Sequence, residues 1–166
     1  MGNKKKVNYY DKDFLHSSMR ETIFEHKFIG DFLSHCWQQS RFDVEVLRSE
    51  IDDAGYDLVI SIGKITSYLQ LKVTAKDTDT SEFPIHEKLI NKERSFILLI
   101  EYNRKDLSEF IYYLRSINRR TWNEGNKGRS DSVRMIKRTV VSGFKNKDRE
   151  SRMKTIKQLF EDLSTQ

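Results

Sequence analysis

The feature that most constrains this chain is a change in the spacing of its apolar residues near position 40. From Ser17 to Gln38 the apolar side chains are Met19, Ile23, Phe24, Phe28, Ile29, Phe32, Leu33, Cys36 and Trp37. Steps of three and four gather them into one stripe of a helix. Ser17 or Ser18 can cap that helix, with Glu21 at capping-box spacing from Ser18. Then the period shortens. Phe42, Val44 and Val46 alternate with Asp43 and Glu45, the pattern of a half-buried strand. Ser49 to Tyr56 reads as an acidic turn. Asp57–Ile62 and Tyr68–Val73 read as two further strands joined by a hairpin turn at Gly63-Lys64. Phe96 to Tyr102 is a nearly continuous apolar run, which predicts a strand buried on both faces.

The remaining segments are less regular. Residues 75–95 are polar and contain the only proline, Pro84, so an irregular excursion is expected. Leu107, Phe110, Ile111 and Leu114 have helical spacing and predict a second helix. Arg119–Ser130 reads as a basic loop, and Val133–Phe144 has room for one more strand. Met153, Ile156, Leu159, Phe160 and Leu163 predict a closing helix. This order predicts an α/β (α+β) fold with a mixed central sheet flanked by helices. Residues 1–12 are expected to be a flexible N-terminus and 13–166 a single domain.

Composition narrows the setting. A chain of 166 residues can bury a core without a staple, and its single cysteine, Cys36, excludes an internal disulfide framework. No apolar run is long enough to cross a bilayer. The basic start Met1-Gly2-Asn3-Lys4-Lys5-Lys6 is followed by no apolar signal core, and Lys6 stands where a myristoylation motif needs Ser or Thr. A cytoplasmic protein with no membrane partner is therefore expected. The net charge of +5 is uneven: residues 115–147 hold ten Lys/Arg and two acids, a balance of +8, so the rest of the chain is slightly acidic. A basic segment beside an acidic one suits a protein that grips a polyanion with one part and holds a cation with another. Arg119, Arg120, Lys127, Arg129, Lys137 and Arg138 are the candidate phosphate contacts. Trp122 can stack on a base or pack into the core, and a merely solvated basic loop is the plainer alternative.

The chemistry concentrates on one strand. Side chains alternate in direction, so Leu69, Leu71 and Val73 face one side and Tyr68, Gln70 and Lys72 the other. A lysine on a strand otherwise built for a core needs a partner, and Asp57, at the start of the preceding strand, is available if the two strands pair. Such a group can hold Mg²⁺ or Mn²⁺ through Asp57, the Gln70 side-chain oxygen and the Leu71 carbonyl. Lys72 is then placed to orient or deprotonate an attacking water, or to stabilise the developing charge. Glu25, beside the apolar stripe of the first helix, is the candidate third acid, with Glu21 one turn earlier as its rival. A structural ion pair between Asp57 and Lys72 is the simpler explanation of those two residues alone.

At these residues the chain resembles a family. Phe24-Glu25-His26-Lys27-Phe28-Ile29, Gly55-Tyr56-Asp57-Leu58-Val59 and Leu69-Gln70-Leu71-Lys72 look like the core of PD-(D/E)xK nucleases, most similar to archaeal Holliday-junction resolvases and restriction-endonuclease-like bacterial proteins. The pattern covers residues 17–75 and places a helix Glu at Glu25, a strand Asp at Asp57 and the acid-x-Lys at Gln70-x-Lys72. The resemblance implies a restriction-endonuclease-like core and a metal-dependent endonuclease acting on nucleic acid, DNA above all. It also implies a homodimer or partner subunit and a setting in bacterial defence. Gln70 departs from the pattern. It keeps one oxygen ligand and removes a charge, which implies weaker metal binding, a single ion or a preference for Mn²⁺. It equally suits a catalytically inactive nuclease fold that serves as a DNA-binding or assembly subunit.

Other residues carry less. His16, His26, His35 and His86 are read as packed or exposed, Cys36 as core, and Asp52 and Asp53 as a solvated turn. No Cys/His spacing for zinc, no P-loop and no serine nucleophile elbow is present.

Overall fold

The computed structural model describes residues 16–50, 55–142 and 152–165. The expectations for residues 1–12, for Asp52 and Asp53, and for Phe144, Lys145 and Lys147 lie outside the described residues.

The long apolar stripe forms helix α1 (Ser17–Gln38), with Phe24, Phe28, Phe32, His35 and Cys36 buried. Its cap position is His16, without a side-chain cap hydrogen bond, so Ser17 and Ser18 are inside the helix and do not cap it. Strands β1 (Val44–Arg48), β2 (Leu58–Ile62) and β3 (Ile65–Ala75) follow as an antiparallel meander. Gly63 has φ +59°, the positive value that a two-residue hairpin loop needs at its first position. Gly55 has φ +75°, and a Cβ there would stand 3.2 Å from His86 Cβ and from the Leu89 nitrogen. Glycine is thus what lets the chain enter β2 close against the following elements.

Residues 75–95 are more ordered than their polarity predicts. They hold β4 (Glu82–His86) and the short helix α2 (Glu87–Ile90). Pro84 is tolerated because β4 is the edge of a small sheet, where its ring lies exposed. Strand β5 (Ser95–Tyr102) is buried along its whole length and pairs parallel with β3, from Tyr68↔Ser95 to Ala75↔Tyr102. A strand buried at every position belongs at such a central, doubly covered place.

The expected second helix is a strand, β6 (Phe110–Ser116), paired antiparallel with β5. The spacing 107, 110, 111, 114 ignores Tyr112, which is fully buried. Once tyrosine counts as apolar, Phe110 and Tyr112 alternate inward with a period of two. The basic stretch contains helix α3 (Arg119–Asn123), capped by the Asn118 side chain accepting from Thr121 N–H, and strand β7 (Asn126–Lys127). The further strand is β8 (Val133–Lys137), followed by α4 (Arg138–Ser142) and the closing helix α5 (Arg152–Ser164).

The architecture is mixed α/β: a central five-stranded sheet in the order β1-β2-β3-β5-β6, and a three-stranded sheet β4-β8-β7. One face of the large sheet packs Leu58, Ile60, Leu69, Leu98 and Ile100 under α1 and α5. Its other face packs Ile97 and Leu99 against Phe83, Ile85, Leu89, Trp122 and Ile136. Fully burying a Phe of α1 contributes about 1.5–3 kcal/mol, so three of them pin the helix to the sheet. Cys36 is in this core, and burial pushes its thiol up to about 11. No described helix is long and apolar enough to cross a membrane.

Candidate active site

The lengths of β2 and β3 create the site. Strand β2 begins at Leu58, opposite Leu69, while β3 runs on to Ala75. Beyond Leu69 the edge of β3 on that side loses its strand partner, and Asp57 stands at the break. Its N–H donates to the Leu69 carbonyl at 2.8 Å. Its Oδ2 accepts from the Leu71 N–H at 2.5 Å. The carboxylate therefore takes the place of the missing strand. Within a strand the N–H and C=O of one residue project on the same edge, so the Leu71 carbonyl also points toward Asp57.

A cavity of about 440 Å³ opens at this break, lined by Glu25, Asp57, Gln70, Leu71 and Lys72 among others. Every residue that the sequence suggested as catalytic or metal-binding is on its wall. Alternation along β3 puts Gln70 and Lys72 on the same face. Gln70 is only 8% exposed, and its Oε1 is buried without a hydrogen-bond partner. An orphaned buried oxygen normally costs about 1–3 kcal/mol. Gln70 lines the polar cleft, so this oxygen is an unsatisfied acceptor in its wall, suited to an incoming ligand.

Glu25 reaches the cleft from α1, next to buried Phe24. Its Oε1 stands 2.5 Å from Arg48 Nε, with side-chain exposures of 12% for Glu25 and 52% for Arg48. The contact is an ion pair without hydrogen-bond alignment, since Glu25 Oε1 is also without a hydrogen-bond partner. Arg48 was not singled out in the sequence. The signal was present, because Val44, Val46 and Arg48 share one face of β1, the face that packs on α1. Glu21, Ser18 and Thr22 also line the cavity, so the acid one turn before Glu25 is at its rim.

The donor set decides which ions suit this cleft. Among the described residues no three His, Cys, Asp or Glu side chains gather into a metal cluster. Two acids, an amide oxygen and a strand carbonyl are oxygen donors only. They suit one hard divalent ion that retains several waters, such as Mg²⁺ or Mn²⁺, and do not suit zinc.

The basic segment divides into two groups. Arg120, Lys127, Arg129 and Lys137 are exposed. Arg120 pairs with Glu124 at 3.2 Å and Lys127 with Asp131 at 3.8 Å, both at the surface. Arg119 is half-exposed and held by Glu87 and by Asn91 Oδ1 at 2.9 Å. Two residues turn inward. Trp122 is 4% exposed, so of its two roles the structure favours packing. The guanidinium of Arg134 lies 4.6 Å from its ring centre and that of Arg119 lies 5.5 Å away. Arg138 is 17% exposed and bonds Glu101 Oε1 at 2.6 Å, which makes it part of the sheet's support.

No protein-family model matches the chain, and no curated protein sequence matches it. Among solved structures it is similar to the bacterial homing endonuclease I-Ssp6803I, with TM-score 0.43 and 15% identity over 88% of this chain and 90% of that one. It is also similar to Hjc, a Holliday junction resolvase from the archaeon Archaeoglobus fulgidus, with TM-score 0.32 and 15% identity over 70% of this chain and 85% of that one. Likeness of this degree carries no argument about activity.

Proposed function

We propose that this protein is a metal-dependent nuclease that hydrolyses phosphodiester bonds of nucleic acid, DNA foremost, in the cleft at the start of β2. The observation that carries this reading is the convergence of Asp57, anchored on the Leu71 N–H, with the orphaned Gln70 oxygen and Lys72. Asp57, Gln70, the Leu71 carbonyl and Glu25 are the residues to hold Mg²⁺ or Mn²⁺. When bound, such an ion supplies charge neutralisation at the phosphate and a water of lowered pKa. The chain's own contribution is positioning. The Leu71 N–H fixes one oxygen of Asp57, so the carboxylate is pre-aimed. Lys72, on the same face as Gln70, offers an ammonium to a phosphate oxygen or to the attacking water. Arg120, Lys127, Arg129 and Lys137 serve as strand contacts outside the cleft.

The test is incubation of supercoiled plasmid with wild type, Asp57→Ala and Lys72→Ala in EDTA, Mg²⁺ or Mn²⁺. Nicking or linearisation by wild type with metal alone supports the reading, and persistent cutting by Asp57→Ala refutes it. The neutral Gln70 and the Glu25–Arg48 pair favour a second reading, a nuclease fold that binds DNA without cutting. It gains if every variant is silent yet shifts DNA at low salt.

A further inference from the structure

Arg48 stands beside this cleft, paired with one of its acids, and the nuclease reading leaves it without a task. It ends β1 opposite Leu58, next to Asp57, and the Ser49 N–H donates to the Asp57 carbonyl at 2.9 Å. Its guanidinium lies against Glu25, which is thereby engaged before any ion arrives. Glu21, Glu25 and Asp57 bring three negative charges to the cleft and Lys72 one positive, and Arg48 beside it offsets one more through Glu25, so a single net negative charge is left. With Glu25 engaged by Arg48, so small a net charge attracts a bare divalent cation only weakly. A strand phosphate adds negative charge beside Arg48 and competes with Glu25 for it. It is also a group that arginine binds in bidentate fashion. The exposures say which partner is able to move: Arg48 is half in solvent, whereas Glu25 is held among the core residues of α1.

We propose, resting on the nuclease reading, that Arg48 couples cation loading to nucleic-acid binding. It occupies Glu25 until a strand phosphate draws it away, and Glu25 then completes the cation's ligand set. Linkage makes the effect reciprocal, so cation and strand raise each other's affinity. Gln70 contributes to this design, because an acid at that position would draw the ion in without substrate. The consequence is a site that is loaded mainly when a substrate is present.

The experiment is calorimetric titration of Mn²⁺ alone, without nucleic acid, into wild type, Arg48→Gln, Arg48→Lys, Asp57→Asn and the double variant Arg48→Gln/Glu25→Gln. Thermal unfolding of each variant checks its fold. Arg48→Gln is expected to bind Mn²⁺ about tenfold tighter than wild type, within the usual range of coupling between sites. Arg48→Lys keeps the charge and is expected to bind as weakly as wild type. The double variant is expected to lose the gain. A parallel anisotropy measurement on a labelled DNA duplex, with and without Ca²⁺, should show the ion tightening wild type but not Arg48→Gln. Unchanged or weaker Mn²⁺ binding by Arg48→Gln overturns the proposal, as does a gain that survives Glu25→Gln. Asp57→Asn separates the two readings. If it leaves ion binding intact, or if no variant binds an ion, the active-site assignment itself fails, whatever Arg48 does.

Discussion

Replacing Arg138 with Met tests whether the basic segment is all grip or partly scaffold. Arg138 Nε bonds Glu101 Oε1 at 2.6 Å, with side-chain exposures of 17% and 12%. Glu101 is on β5, on the face of Ile97 and Leu99, so the pair ties the start of α4 to the central sheet. Breaking a buried pair from one side typically costs about 3–5 kcal/mol, because the remaining charge is left in a poor solvent. The residual exposure of both groups lets water reach them, which brings the expected loss to about 2–3 kcal/mol. At about 2–4 °C per kcal/mol for a chain of this size, the melting temperature should fall by about 4–12 °C. Urea unfolding of Arg138→Met, Glu101→Leu and the double variant measures this directly. The double variant should recover much of the loss, since an apolar pair of similar volume replaces the ions without leaving a charge behind. The reasoning fails if Arg138→Met lies within ~0.5 kcal/mol of wild type, inside the usual range for surface changes. It fails equally if Glu101→Leu is as harmful in the Arg138→Met background as in the wild-type chain.

Three further outcomes are expected. Trp122→Ala should destabilise by about 3–5 kcal/mol in urea, because it empties a site that is 4% exposed in the second core, and a loss of DNA affinity without a loss of stability would contradict that placement. Lys137→Ala and Arg120→Ala should leave stability within ~0.5 kcal/mol while each lowers the slope of log K against log salt for DNA binding by about one, read by anisotropy at several salt concentrations. His35 is held below its ordinary value by burial and then by Lys157, against an opposing effect of Glu161. Its unfolded form therefore binds a proton first, so stability should fall as pH drops through and below about 6.5, and His35→Phe should flatten the urea midpoint over that range.

Much of the fold is legible in local patterns. The stripe of Phe24, Phe28 and Phe32 marks α1, the alternation of Val44 and Val46 marks β1, and the uninterrupted run from Phe96 marks the central strand. Each works because the period of an element is written in which residues must leave water. The errors arise where that rule is ambiguous. Phe110–Ser116 fits a helix if Tyr112 is treated as polar and a strand if it is treated as apolar. The tyrosine decides, because its ring is fully buried while its hydroxyl donates to Asp31 at 3.0 Å. Strand β4 was hidden because an edge strand can be polar and can carry proline.

The site divides in the same way. By itself the sequence determined that Gln70 and Lys72 share a face, since that follows from strand parity, and that Asp57 precedes a strand able to pair with theirs. Only the tertiary structure decided that β2 begins no earlier than Leu58 while β3 runs on past Leu69, which turns Asp57 into a cap on an open strand edge. It alone set Arg48 against Glu25 and drew Trp122 and Arg138 inward from a segment that reads as uniformly basic. The physical reason is range. Periodicity and turn chemistry act between near neighbours, whereas a partner for a buried charge is chosen among groups far apart in the chain, after packing has brought them together.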